Sequence, residues 1–270
     1  MLADTHCHLN FESFDKDRSA VVARAQAAGI VRILNPGVDL VSSQSAVRVA
    51  GAFEPVFAAV GVHPNDAQAW DQTSLADLKV LAGQPKVVAI GEIGLDYYWE
   101  HAPAPLQRAI FEQQLELAAE LGLPVIVHVR DKSPEDMPAM QDVLSILKDW
   151  TLGLALRNPE LAQHPGVLHS FSGDRNAAAN ANRLNFRIGI TGPVTFKKAD
   201  RLRDVAASIP EEFLVIETDA PFLTPHPHRG ERNEPALVRY VAEKIAFIRK
   251  INLEKIIEIT SLNAERLFRW

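Results

Sequence analysis

Short apolar runs alternate along the chain with segments of helical periodicity. Eight of these runs are rich in β-branched residues, and several are apolar at every position, as in Val87–Ile90 and Val125–Val127. A strand that is apolar on both faces is covered on both faces, which is typical of parallel strands in α/β proteins. The eight predicted strands are Leu2–Cys7, Val31–Asn35, Val56–Val62, Val87–Glu92, Pro124–Val129, Gly166–Ser170, Phe186–Thr191 and Phe213–Asp219.

The segments between these runs carry the signals that begin and end helices. Asp15–Gly29 and Pro105–Gly122 have apolar residues at helical spacing, and both end on a glycine, as helices commonly do. Near the end of the chain, Asn233 and Pro235 predict the N-terminal cap region of a further helix. A last helix is expected over about Leu253–Phe268.

Strand and helix alternate eight times within 270 residues, and no change of composition marks a second domain. This alternation indicates an α/β fold. A doubly wound open sheet is the alternative, but eight repeats in a chain close to the ~250 residues of a (β/α)8 barrel favour closure. We therefore predict a single-domain (β/α)8 TIM barrel over residues 1–270, with a longer excursion at about residues 131–165.

Residues that can bind metal ions fall at the ends of the predicted strands. His6 and His8 lie two residues apart in the first run, and because a strand has a period of two, both imidazoles point to one side. Asp4 shares that side one layer deeper, where its carboxylate could orient a ligand. Cys7 lies between the two histidines and is expected to point away from them, which argues against a thiol mechanism.

Glu92, His128, His169 and Asp219 end four other predicted strands. Each of them alone could be structural, and a carboxylate there could simply cap the next helix. The C-terminal ends of barrel strands meet on one face, however, and active sites of this fold are built there. Four imidazoles and two carboxylates are more than one tetrahedral ion needs, and they suit a pair of ions bridged by a carboxylate. The six expected neighbours are His6, His8, Glu92, His128, His169 and Asp219.

Seven short motifs stand in order along the chain, and together they are far more specific than a lone pair of histidines. They are Asp4-Thr5-His6-Cys7-His8, Gly61-Val62-His63-Pro64, Gly91-Glu92-Ile93-Gly94-Leu95-Asp96-Tyr97, His169-Ser170-Phe171-Ser172-Gly173, Glu217-Thr218-Asp219-Ala220-Pro221-Phe222-Leu223, Pro225-His226-Pro227-His228-Arg229-Gly230 and Arg232-Asn233-Glu234-Pro235. This set resembles the TatD family of metal-dependent deoxyribonucleases, within the amidohydrolase superfamily. The stretch between His128 and His169 is longer than is usual in that family.

The resemblance implies a site with two divalent metal ions, Mg²⁺, Mn²⁺ or Zn²⁺. One ion would be held by His6, His8, Glu92 and Asp219, and the other by Glu92, His128 and His169. Glu92 would bridge the two ions, and Asp219 would also orient or deprotonate the attacking water. Glu92 and Asp219 are therefore the expected catalytic residues.

The implied activity is that of a 3′→5′ exonuclease on single-stranded or frayed DNA, with the polarity taken from the family. The expected substrate contacts are His63, Asp96, Tyr97, Arg130 and Arg229. A structural ion pair is an equal alternative for Arg130. Tyr97, Tyr98 and Trp99 could stack on an unpaired base or pack their loop onto the barrel.

The formal net charge of −6 changes the expected mode of DNA binding. Proteins that track duplex DNA carry a basic face, whereas an acidic chain is better suited to a strand end. A second hypothesis is an amidohydrolase-type enzyme that cleaves an amide, an ester or a small phosphoester, because the barrel and ligands are shared by these chemistries. A non-catalytic metal-binding protein is the third, and the presence of Asp219 argues against it.

The expected location is the cytoplasm. The chain has a single cysteine, an N-terminal segment unlike a secretory signal, and no uncharged apolar run near the ~18–20 residues of a membrane-spanning helix. We therefore expect no membrane association, and the sequence indicates no obligate protein partner.

Overall fold

The computed structural model describes residues 1–99 and 101–270. Eight strands form one sheet in the order β1 to β8, and every neighbouring pair is parallel. The strands are β1 Leu2–Asp4, β2 Ile30–Pro36, β3 Val56–Val60, β4 Val87–Asp96, β5 Val125–Arg130, β6 Gly166–Leu168, β7 Arg187–Ile190 and β8 Leu214–Ile216.

The sheet closes on itself beyond the ends of β1 and β8. The Asp219 N–H donates to the His6 carbonyl at 2.9 Å, and the His8 N–H donates to the Ala220 carbonyl at 2.8 Å. These bonds join the first and last strands, so the predicted single-domain (β/α)8 barrel is confirmed.

Ten helices lie among the described residues and alternate with the strands. They are α1 Arg18–Ala27, α2 Leu40–Ala52, α3 Ser74–Ala82, α4 Ala104–Leu121, α5 Pro138–Arg157, α6 Pro159–Gln163, α7 Arg175–Arg183, α8 Asp200–Ser208, α9 Val238–Arg249 and α10 Leu253–Phe268. The predicted end of α4 is confirmed, because Gly122 follows it with a positive φ of 69°. No helix within residues 1–99 or 101–270 combines the length and hydropathy needed to cross a membrane.

The predicted cap of α9 is wrong in its detail. A 3₁₀ turn, Pro235–Leu237, precedes the helix, and Asn233 does not cap it. The buried Asn233 side chain instead donates to the carbonyls of Thr218 and Phe222. It therefore fixes the loop that follows β8.

Apolar side chains fill the end of the barrel where the strands begin. Six strands contribute one side chain each to this layer, and the end of α10 covers it. The layer consists of Leu34, Ala59, Ala89, Ile126, Val167, Val215, Leu267 and Phe268. A larger apolar core lies between the strands and the helices. The imidazoles and carboxylates that are predicted to bind metal lie toward or beyond the C-terminal ends of the strands, at the opposite end of the barrel.

Strand β4 is longer than predicted and contains a bulge. Its pairing with β5 shifts between Ile90 and Ile93, where three steps along β4 face two steps along β5. The extra residue changes the direction in which the Glu92 side chain points. Glu92 lies within the strand rather than at its end. The strand then continues to Asp96, alongside Arg130 of β5.

The long interval at residues 131–165 consists mainly of α5 and α6. The Trp150 indole N–H donates to the Leu115 carbonyl of α4 at 3.0 Å. Trp150 and Leu154 are buried in the core between the helices and the sheet. Much of this segment thus forms part of the outer wall of the barrel.

Candidate metal centre

Glu92 stands between two pairs of histidines. Its Oε2 atom lies 3.4 Å from His6 Nε2 and 3.6 Å from His8 Nε2. Its Oε1 atom lies 2.9 Å from His128 Nδ1 and 2.8 Å from His169 Nε2. The two oxygens of one buried carboxylate therefore face two separate pairs of imidazoles.

Asp219 completes the group on the side of His6 and His8. Its Oδ1 atom lies 3.5 Å from His8 Nε2 and 3.7 Å from His6 Nε2. The residue has a positive φ of 57°, and its N–H donates a hydrogen bond to the His6 carbonyl. All six residues that the sequence grouped together thus meet at the C-terminal end of the barrel.

The spacing of these atoms fits coordination of metal ions. His6 Nε2 and His8 Nε2 are 3.1 Å apart, and His128 Nδ1 and His169 Nε2 are 3.3 Å apart. Ligand atoms about 2.1 Å from a tetrahedral ion are separated by about 3.4 Å, close to the distances found here. His6, His8 and Glu92 together offer three buried ligand atoms, and imidazole with carboxylate is a common ligand set for divalent metals.

Asp96, a predicted substrate contact, lies behind His128 rather than at the mouth of the barrel. It is 1% exposed, and its Oδ2 atom is 3.1 Å from His128 Nε2. Its Oδ1 atom accepts hydrogen bonds from the N–H groups of Tyr98 and Trp99. With an ion bound at Nδ1, Asp96 would keep the His128 proton on Nε2 and leave the Nδ1 lone pair free for the ion.

Glu217, which is not among the predicted site residues, lies behind His169. Its Oε1 atom accepts a hydrogen bond from the Ser170 N–H and lies 3.7 Å from His169 Nδ1, while Oε2 accepts from the Thr5 hydroxyl at 3.0 Å. The signal was available in the sequence. Glu217 precedes Asp219 by two residues, just as Asp4 precedes His6.

Asp4 acts on the backbone of the site. Its carboxylate accepts hydrogen bonds from the His6 N–H at 3.3 Å, the Thr218 N–H at 2.9 Å and the Thr218 hydroxyl at 2.6 Å. It therefore joins the segment that carries His6 to the segment that carries Asp219, and touches neither side chain in doing so.

His63 turns its Nε2 atom toward Glu92. The Asn65 N–H donates to His63 Nδ1 at 3.1 Å, so the neutral imidazole carries its proton on Nε2, 3.6 Å from Glu92 Oε1. Burial, with the charge of His128, lowers the pKa of His63 to about 3. His63, Glu92 and His128 are close enough to form a ligand set, but a protonated Nε2 cannot bind an ion.

The remaining predicted substrate contacts lie farther out. The Tyr97 hydroxyl is 2.8 Å from Asp142 and accepts a hydrogen bond from Arg108 Nε, so it faces α4 and α5. The Arg130 guanidinium lies 4.2 Å from the ring centroid of Tyr98. The exposed Arg229 guanidinium lies 3.8 Å from the ring centroid of Phe196.

The charges of the metal-free site are strongly coupled. Burial would raise the pKa of Glu92, but the charges of His169 and His6 hold it well below its usual range. Burial would lower the pKa of His169, but the Glu92 charge raises it to about 9. Metal-free Glu92 and His169 thus form an ion pair, and an ion that binds His169 must displace a proton.

Cys7 takes no part in this arrangement. It is fully buried in the hydrophobic core, and burial raises the pKa of its thiol well above the usual range. A thiolate nucleophile is therefore not available at this position.

The barrel and its cluster of buried imidazoles and carboxylates define the chain as a metal-dependent hydrolase. The family model described as TatD related DNase matches residues 3–269. The chain belongs to the TatD family, as the sequence motifs predicted.

Relatives match over almost the full length of the chain. It is 43% identical over 270 residues to the uncharacterized metal-dependent hydrolase YabD of Bacillus subtilis (strain 168), covering 100% of this chain and 99% of that protein. It is 37% identical over 271 residues to the 3′-5′ ssDNA/RNA exonuclease TatD of Citrobacter rodentium (strain ICC168), covering 98% and 97%. The solved structure of YJJV, a TatD homolog from Escherichia coli K12, superposes with a TM-score of 0.89 at 31% identity, covering 100% and 98%.

Proposed function

We propose that the protein is a 3′→5′ exonuclease that removes nucleotides from single-stranded or frayed DNA with the help of two divalent metal ions. The observation that carries this proposal is the position of Glu92, whose two oxygens face two different pairs of imidazoles. A carboxylate placed in this way suits two ions that share a bridge.

The two ions would be bound by side chains from opposite sides of Glu92. His6, His8, Asp219 and one Glu92 oxygen would hold the first, and His128, His169 and the other oxygen the second. Bound there, Mg²⁺, Mn²⁺ or Zn²⁺ would lower the pKa of a water and offset the negative charge of a phosphodiester.

Two side chains of this protein would handle protons during hydrolysis. Asp219 keeps part of its carboxylate open to the mouth of the barrel, where it can orient the attacking water and accept its proton. His63, with its proton on Nε2, can donate a hydrogen bond to a phosphoryl oxygen or to the leaving oxygen. Neither role requires a covalent intermediate with the protein.

The preference for DNA ends rests on two observations. The formal net charge of −6 does not favour tracking along duplex DNA. In addition, relatives at 36–37% identity bear the name 3′-5′ ssDNA/RNA exonuclease. We place Arg229 among the groups that can bind phosphate, whereas the hydroxyl of Tyr97 is turned away from the site.

The test is hydrolysis of a 5′-labelled single-stranded DNA oligomer by metal-stripped protein, repeated with added Mg²⁺, Mn²⁺ or Zn²⁺. We expect a metal-restored ladder that shortens from the 3′ end and is absent in Asp219→Asn. Rapid cutting of covalently closed single-stranded circles would contradict the exonuclease proposal.

The same preparation separates the competing function. If protein that binds two ions cleaves no DNA under any metal, a panel of amides, esters and small phosphoesters becomes the relevant substrate set. Cleavage from that panel would identify an amidohydrolase-type enzyme in place of a nuclease.

A further inference from the structure

An aromatic surface leads outward from His8. The rings of His8 and Phe11 are stacked, with centroids 4.4 Å apart and planes 16° apart. The ring of Phe222 meets Phe11 edge to face at 6.2 Å and is 51% exposed. Phe11 and Phe222, here called the Phe patch, thus extend from an expected metal ligand to solvent.

A second aromatic surface is attached to His128. The Asp96 Oδ2 atom is hydrogen-bonded to His128. The Oδ1 atom accepts hydrogen bonds from the N–H groups of Tyr98 at 2.9 Å and Trp99 at 3.1 Å. These two side chains are 41% and 45% exposed, and the Arg130 guanidinium lies over Tyr98. Tyr98, Trp99 and Arg130, here called the Trp patch, thus carry both aromatic rings and a positive charge.

The two patches lie on opposite sides of the barrel mouth. The Phe patch follows β1 and β8, the Trp patch follows β4 and β5, and these strand pairs are half a turn apart in the closed ring of eight. The expected metal centre lies between the patches. A nucleic-acid strand that ran across the metal centre from one patch to the other would contact aromatic rings on both sides of the bond that is cleaved.

Exposed aromatic rings are suited to stack on unpaired nucleobases, and a guanidinium such as that of Arg130 is suited to the phosphates that join them. Every base has a π face, so such stacking binds a strand with little regard to its sequence. A base-paired duplex cannot offer its faces in this way. The side chains of Phe222, Tyr98 and Trp99 are also exposed, so packing against the barrel leaves part of each ring free to contact a substrate.

We propose that the Phe patch and the Trp patch bind the unpaired bases on the two sides of the scissile phosphodiester. The inference rests on the proposed nuclease function and specifies its substrate as a strand with an unpaired base on each side of the cleaved bond. Each patch contributes about 5- to 150-fold to kcat/KM, the range that corresponds to stacking of one base.

The test compares Phe222→Ala and Trp99→Ala with the unchanged protein on oligomers that lack one base. An abasic nucleotide is placed at the 3′ end in one oligomer and at the next position in another, and kcat/KM is measured for each. Phe247→Ala is the matched control, because Phe247 is 76% exposed on α9, away from the mouth. Phe222→Trp, which restores an aromatic ring, should regain the activity lost in Phe222→Ala.

We expect each patch variant to lower kcat/KM on the intact oligomer and to lose that effect once one particular base is missing. The two patches should respond to bases on opposite sides of the cleaved bond, and Phe247→Ala should respond to neither. A loss of equal size on intact and abasic oligomers would overturn the inference, because it would mark a structural role. The absence of any loss would overturn it as well.

Binding distinguishes failure of this inference from failure of the proposed function. Fluorescence anisotropy of labelled oligomers with Asp219→Asn protein requires no cleavage. Base-dependent binding weakened by Trp99→Ala in that background, without hydrolysis by the unchanged protein, would support the patches and contradict the nuclease. Hydrolysis with no dependence on the bases would contradict only the patches.

Discussion

The two sides of Glu92 place their negative charge differently. On one side, here the Asp219 side, His6 and His8 share the site with a carboxylate that lies beside them. On the other, here the Asp96 side, His128 and His169 have carboxylates behind them instead. The two pairs of imidazoles that are expected to bind ions thus lie in two different electrostatic environments.

This difference predicts different roles for the two sides of Glu92. A carboxylate hydrogen-bonded to an imidazole, as Asp96 is to His128, fixes its tautomer and orientation and makes the ring a better ligand, which suits firm retention of an ion. A carboxylate beside the ligands, still 14% exposed, can exchange protons with water. We therefore expect the Asp96 side chiefly to hold its ion and the Asp219 side to carry the chemistry.

The largest effect is expected where the two sides meet. Glu92→Gln keeps the shape of the side chain but removes the charge that both sides share, so both ions should bind weakly and activity should fall on the order of 10³-fold or more. Metal content by atomic emission and kcat on single-stranded DNA measure this. Glu243→Gln, on the outer face of α9, is the control, and retention of two tightly bound ions in Glu92→Gln would contradict the shared bridge.

Asp219→Asn tests the Asp219 side alone. Loss of the proton acceptor should lower kcat by about 10²- to 10⁴-fold, while the ion on the Asp96 side stays bound. Single-turnover hydrolysis measured together with metal content separates these effects, with Asp200→Asn on α8 as the control. An undiminished kcat would rule out the role assigned to Asp219.

Asp96→Asn tests the other side. Without the carboxylate behind His128, metal affinity should fall about 10- to 100-fold, the range found for groups that orient a ligand. Isothermal titration of metal-stripped protein should show this loss for one ion and leave the other unchanged. Equal weakening of both ions would remove the distinction between the two sides.

The smallest effect is that of a change in pH by one unit. The pKa of metal-free His169 is raised to about 9, so its protonated form dominates below that value and an entering ion must displace the proton. Affinity on the Asp96 side should therefore fall about tenfold for each unit that the pH drops below 9. Titrations at pH 6, 7 and 8 in buffers of different ionisation enthalpy would also reveal proton release, and a pH-independent affinity would contradict the Glu92–His169 ion pair.

The barrel and the meeting of six polar residues could be predicted because both depend on simple alternation. Apolar positions on both faces mark buried parallel strands, and a polar residue that ends such a run lies at the C-terminal mouth. The pattern places His128 there without knowledge of any contact. These features need only the strand period and the topology of the fold.

The surroundings of β4 could not be predicted in the same way. The predicted strand ends at Glu92, whereas the strand in the structure continues to Asp96. Alternation then brings Asp96 to the face of Glu92 and turns Tyr97 toward the helices outside. The bulge that sets this parity results from the fit between two strands, and nothing in the hydrophobic pattern marks it.

The hydrogen bonds that join the segments after β1 and β8 make the barrel a ring with a seam. His6, His8 and Asp219 lie along that seam. An ion bound to all three would therefore cross-link the segments that follow the first and last strands. By mass action, a free ion concentration a thousand times the dissociation constant would add about 4 kcal/mol to the stability of the closed ring. The supply of divalent metal would then govern how often the ring opens, and with it the exposure of the chain to proteases.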